Sequence, residues 1–217
     1  MTPTELADTL NRLADPRYRS FALSLIPGES DMLGVRLPAL RQLARRCTQE
    51  NWKELFSGLR EAQTMELVML RGMLPGYARK ATLSERLTAL ATFIPSIRNW
   101  SICDSCCSTW RFAREYRAEV LEFLLPRLHS GQEYAVRTAV VMFLLHYLQD
   151  SDWAATTSAL LPQIRCDAYY ARMAIAWYCC ELHLRHPQLS HATLEALSPE
   201  LQQITHRKIR ESRRRAD

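Results

Sequence analysis

Residues 134–148 read YAVRTAVVMFLLHYL. The run is apolar enough for either a membrane span or a helix buried inside a protein. A span needs about 20 apolar residues in a row. This run has 15 and is interrupted by Arg137 and His146, so the spacing predicts a buried helix over 132–148. A helix that is apolar all round must be covered by other helices.

Helical patterns occupy most of the rest. They are expected over 4–14, 16–25, 38–47, 51–58, 61–74, 82–93, 99–112, 116–129, 151–161, 167–186, 190–196 and 199–213. Thr4, Asn51 and Asn99 are the candidate N-caps, and Pro38 fits a first helical turn. GESDMLG, from Gly28, reads as a loop. Pro95, Pro126, Pro162, Pro187 and Pro199 lie near boundaries, and Pro126 leaves one of them ambiguous. The repeating length suggests helical pairs of 30–40 residues without a strict sequence repeat. The expected fold is therefore all-α: a right-handed α-solenoid of degenerate HEAT-like repeats forming one domain over 1–217. A compact non-repeating bundle is the alternative.

Composition fits. Of 217 residues, 47% are hydrophobic and 24% charged, which supports a large core and excludes a disordered chain. Only 6 glycines argue against glycine-rich cofactor loops, and no cofactor is expected. The net charge is +5. Residues 201–217 hold six basic and two acidic side chains, so the body is nearly neutral and a basic tail occupies about 207–217. Such a tail either aids solubility or touches phosphate. The 7 cysteines and the polar start MTPTELADTL predict free thiols in a reducing, cytoplasmic compartment.

Residues 97–107, IRNWSICDSCC, concentrate the chemistry. On a helix, Trp100 and Asp104 share a face, and Cys103 and Cys107 share a neighbouring stripe. A zinc site needs convergent ligands from separated pairs, and no second C-x2-C follows at suitable spacing. The cysteines therefore read as small buried apolar groups, and no metal is expected. Asp104 is the single acid between Arg98 and Arg111. It is either a partly buried carboxylate paired with an arginine or one placed to stabilise positive charge on a substrate.

Arg137 is either a core-edge arginine or a bidentate phosphate clamp. Trp177 is either core or part of an exposed face. MLGVRLPALRQLARR clusters Arg36, Arg41, Arg45 and Arg46, with no acid between Met32 and Thr48. That patch is either solvated surface or an edge that contacts phosphate.

LGVRLPALRQLARR, IRNWSICDSCC, EYAVRTAVVMFLLHYL and YYARMAIAWYCCELHLRHP, with the closing THRKIRES, resemble the DNA alkylation repair family of HEAT-like proteins. The order and spacing agree over about residues 15–213. Its characterised members are alkylpurine DNA glycosylases. The resemblance implies Asp104 as the catalytic carboxylate, Trp100 one turn before it, Arg137 as the arginine of the cleft and Trp177 as its second tryptophan. It further implies hydrolysis of the N-glycosidic bond of cationic N3- or N7-alkylated purines. The expected partner is duplex DNA rather than a membrane, bound by a monomer in the cytoplasm or, in a bacterium, at the nucleoid. Two rivals use the same fold: a noncatalytic DNA-binding repeat protein and a protein-interaction scaffold.

Overall fold

Prolines and short polar side chains set most of the helix starts in the computed structural model, which describes residues 2–49 and 51–212. Pro3, Pro16, Pro38, Pro187 and Pro199 each occupy a first turn, where no N–H partner is needed. Thirteen α-helices result among the described residues: α1 (Pro3–Leu13), α2 (Pro16–Ser24), α3 (Leu37–Cys47), α4 (Trp52–Gly58), α5 (Met65–Tyr77), α6 (Leu83–Phe93), α7 (Trp100–Cys107), α8 (Arg117–Leu128), α9 (Glu133–His146), α10 (Ser151–Ser158), α11 (Tyr169–Arg185), α12 (Pro187–Glu195) and α13 (Pro199–Glu211). Short 3-10 turns cover Ile94–Ser96, Arg111–Arg114 and Leu161–Gln163, and no strand occurs among these residues.

The expected helices all form, but the one expected over 61–74 runs Met65–Tyr77, the one over 190–196 runs Pro187–Glu195, and two caps and one helix end also differ. The first cap is Thr2 rather than Thr4, with Glu5 closing a capping box. Asn51 stands at the N-cap of α4, but its amide donates to Glu54 instead of capping the backbone. The helix expected over 99–112 ends at Cys107. There the Thr109 hydroxyl and N–H both donate to the Cys106 carbonyl, at 2.7 and 2.9 Å, and close the chain into a turn. Pro126 lies inside α8 and does not end it. Arg213, Arg214 and Arg215 of the basic tail lie outside the described residues, while Arg207, Lys208 and Arg210 are on α13.

The backbone divides into two compact units, Met1–Phe112 and Ala113–Asp217. In the first, α5 packs between α3 and α7 and also touches α4 and α6. In the second, α11 packs between α9 and α13 and also touches α12. There α8 covers α9, and α10 meets α12. In both units the row is built from every second helix, with the intervening helices beside it. This repeated pairing is the all-α, HEAT-like packing that the helix lengths imply. From Ala135 to Leu144 every residue of α9 is buried, as the opening stretch requires. Among the described residues, no helix is long and apolar enough to cross a membrane.

Candidate functional site

Helix α7 is positioned from both ends. At its start, Asn99 is 4% exposed and its side-chain oxygen accepts from the Ile102 N–H at 2.9 Å. The Asn99 amide donates to Glu29 at 2.7 Å, and Glu29 also holds Arg98 in an ion pair at 3.1 Å. Glu29 comes from the GESDMLG loop, so that loop clamps the N-terminus of α7. At the far end, the buried Trp110 indole N–H donates to the Gly72 carbonyl of α5 at 2.8 Å. Its ring meets Phe93 edge-on, with centroids 6.3 Å apart.

Glycines let α5 and α7 approach this closely. A Cβ on Gly72 would overlap the Phe93 ring and the Cys106 sulfur. One on Gly76 would sit 2.5 Å from the Thr109 carbonyl oxygen. The spacing of four puts both glycines on one face of α5.

The two faces of α7 differ in kind. Ile102, Cys103, Cys106 and Cys107 are fully buried. Trp100, Ser101, Asp104, Ser105 and Ser108 form a half-buried stripe, polar apart from the indole ring. Burial first, and then the neighbouring Cys103 and the charge of Asp104, push the thiols of Cys106 and Cys107 well above their ordinary values. They are therefore protonated packing groups, and the Cys106 thiol donates to the Met69 carbonyl at 3.5 Å.

The Trp100 indole N–H donates to the Leu25 carbonyl of the segment after α2, at 3.1 Å, which fixes the plane of the ring. The ring borders a largely apolar cavity of about 100 Å³, with Phe21, Leu25, Met69, Ser101 and Ser105 in its wall. Phe21 is 62% exposed and Leu25 50% exposed, so apolar surface lies beside Trp100.

The arginines of α3 and its N-cap divide. The Arg41 guanidinium donates to the Ser108 hydroxyl at 2.9 Å and so reaches the α7 stripe. Arg36 pairs with Asp15 at 3.0 Å and lies over the Tyr18 ring. The Tyr18 N–H, followed by Arg36, holds the Asp15 carboxyl below the ordinary range. Arg45 is exposed and lies over the Tyr77 ring at 4.9 Å.

In the second unit Arg137 is 6% exposed, and its Nη1 donates to the Tyr170 carbonyl at 2.8 Å. Glu133 accepts from the Tyr170 N–H at 2.7 Å, and the Tyr134 and Tyr170 rings stack. Arg137 and Glu133 thereby join the first turns of α9 and α11. Trp177 is half-buried on α11. The first unit thus brings together Trp100, Asp104 and Arg41, and the second carries Arg137 and Trp177.

Glu66 is a positioning residue that the sequence reading did not find. It is 1% exposed, and its carboxylate accepts from the N–H groups of Leu33, Gly34 and Val35 at 2.7–3.1 Å. This fixes the backbone leading into α3 and hence the placement of Arg36 and Arg41. An acid opening the run MELVML was the available signal; its partners lie about thirty residues away.

A family model described as DNA alkylation repair enzyme matches residues 6–215 of the chain. No curated protein and no solved structure gives a significant match.

Proposed function

The chain belongs to the DNA alkylation repair enzyme family, and on that premise we propose that it is a DNA glycosylase. Its substrate is duplex DNA carrying purines alkylated at N3 or N7, and it acts as a monomer. The observation that carries this reading is the outward stripe of α7. Asp104 lies there one turn from Trp100, in a helix clamped at both ends, with Arg41 reaching the same stripe.

Alkylation at N3 or N7 gives the base a positive charge. When the bond from the sugar C1′ to the purine N9 breaks, its electron pair leaves with the base, which departs neutral. No strong general acid is required. The positive charge passes to the sugar as an oxocarbenium-like centre, and water adds at C1′ and loses a proton. A carboxylate beside C1′ is worth more in that transition state than in the ground state. Asp104 supplies it and orients the water. One carboxylate then suffices where ordinary glycoside hydrolases use two.

The Trp100 ring offers its electron-rich face to the same cationic sugar or lesion. Such a contact is worth about 0.5–2 kcal/mol. Its bond to the Leu25 carbonyl removes the reorientation cost of the ring. Arg41 and Arg45 contact backbone phosphates, and Arg36 does so by sharing its guanidinium with Asp15. In the second unit, Trp177 offers a π face of its own. For Arg137 to contact phosphate, it must share or give up its bond to the Tyr170 carbonyl.

The test is release of 3-methyladenine and 7-methylguanine from alkylated duplex DNA by the purified protein, with binding to the same duplex measured in parallel. Release supports the proposal. Binding without release assigns the noncatalytic DNA-binding role, and neither result leaves the scaffold role.

A further inference from the structure

We propose that the DNA path runs beyond α7 into a basic groove at the C-terminal ends of α3 and α5, where Arg79 and Lys80 bind backbone phosphates. The proposal rests on the reading that the α7 stripe faces DNA.

The groove has a volume of about 610 Å³, and its wall includes Arg45, Thr48, Trp52, Tyr77, Arg79 and Lys80. Arg45, Arg79 and Lys80 are all exposed. Among the described residues, no acidic side chain lines the groove, and neither Arg79 nor Lys80 forms an ion pair. Four other basic residues of this unit are already paired or buried. Arg36 is held by Asp15, Lys53 by Glu85 and Arg98 by Glu29. The Arg86 guanidinium is buried against the carbonyls of Pro75, Ala78 and Ala81. Three like charges lining one groove repel one another, and a bound polyanion relieves that repulsion.

The groove also has a fixed form. Arg45 lies over the Tyr77 ring, and the Thr48 hydroxyl donates to the carbonyls of Arg45 and Tyr77. These contacts tie the C-terminal end of α3 to that of α5.

Position selects the ligand. Arg45 follows Arg41 by one turn of α3, about 5–6 Å along the axis. Arg41 is bonded to Ser108 on the α7 stripe. A phosphodiester strand at that stripe therefore needs to run only one further turn to enter the groove. Binding there is expected to be independent of base sequence, because it engages phosphate alone.

The test is fluorescence anisotropy of a labelled duplex between 50 and 200 mM salt. Each lost phosphate contact removes about 0.9 from the slope of log K against log salt. The double variant Arg79→Ala/Lys80→Ala should therefore bind with a slope shallower by about 1.8. Its affinity loss across that salt range becomes roughly tenfold smaller than that of the wild type. Its far-UV circular dichroism should match the wild type, since both side chains are exposed.

Arg79→Lys/Lys80→Arg should keep the wild-type slope, as should Arg12→Ala/Arg60→Ala, which removes two exposed cations elsewhere in the unit. A wild-type slope in Arg79→Ala/Lys80→Ala overturns the proposal, and so does an equal loss in the Arg12→Ala/Arg60→Ala control. Failure of the glycosylase reading is separate. DNA bound with a slope that depends on Arg79 and Lys80, yet never excised, supports the groove and removes the enzyme. A wild-type protein that binds no DNA overturns both.

Discussion

Replacing Gly76 by alanine tests the packing that holds α7 in place. The added Cβ would sit 2.5 Å from the Thr109 carbonyl oxygen, 2.6 Å from its hydroxyl and 2.8 Å from its carbonyl carbon. Ordinary non-bonded contacts lie at about 3.5–4.0 Å, so the Thr109 backbone must retreat by on the order of 1 Å. It is poorly placed to do so. Thr109 is buried, its hydroxyl donates to the Cys106 carbonyl, and its own carbonyl accepts from Arg111 at 2.8 Å. Overpacking of this kind costs about 1–3 kcal/mol, and strain in the turn that ends α7 puts the cost at or above the upper end. Alanine recovers about 1 kcal/mol of helix propensity in α5. The net loss is then about 2 kcal/mol, which lowers Tm by about 4–8 °C for a chain of this size. Thermal unfolding followed by far-UV circular dichroism reads it directly. Gly58→Ala is the matched control. Its Cβ would meet only the Pro3 ring, at 3.1 Å, at an exposed position, and its effect should stay within about 0.5 kcal/mol. A Gly76→Ala protein with a Tm at or above the wild type would refute the close approach of α5 to the chain after α7.

Glu66→Ala leaves three backbone N–H groups without their acceptor, and should cost about 3 kcal/mol or more in urea unfolding, with Glu66→Gln intermediate. An alanine variant within about 1 kcal/mol of the wild type would remove Glu66 as the anchor of the segment before α3. In a thiol-reagent titration of the native protein, Cys166 should react quickly and the six buried cysteines slowly, with all seven reacting in denaturant. Burial raises the Cys179 thiol to about 12, and it also pushes up Cys106, Cys107, Tyr147 and Tyr178. The unfolded chain releases these protons first, from about pH 8.5 for thiols. Their contribution to stability is therefore constant below that pH and falls above it; a Tm at pH 10 equal to that at pH 8 would contradict the assignment. Arg137→Ala should cost about 1.5–3 kcal/mol by freeing the Tyr170 carbonyl. A phosphate role for Arg137 adds a fall of about 0.9 in the salt slope, and an unchanged slope removes it from the DNA face.

What the sequence disclosed was local, and what it hid was long-range. Apolar spacing and prolines located the helices, including the fully buried α9. The Asn99 cap was legible because its acceptor and the Ile102 donor are three residues apart. The end of α7 was not, because SCCSTWRF contains no glycine or proline. That helix stops where Thr109 turns back on Cys106 and Trp110 reaches Gly72, thirty-eight residues earlier in the chain. Arg36 and Arg41 looked alike as members of one basic patch. Asp15, twenty-one residues away, holds one of them, and Ser108, sixty-seven residues away, receives the other. Buried carboxylates were hidden for the same reason: Glu66 and Glu29 serve backbone and side-chain donors that no helical period connects. The stripe bearing Trp100 and Asp104 followed from the spacing of four, which also paired Cys103 with Cys107 but pointed Cys106 elsewhere; Cys106 is instead buried with them.

The most direct measurement is the single-turnover rate of 7-methylguanine release from alkylated duplex DNA by the wild type and by Asp104→Asn, each at saturating protein. Loss of the carboxylate charge should slow release by on the order of 10²-fold or more while DNA binding is retained. Equal rates in the two proteins would contradict the account.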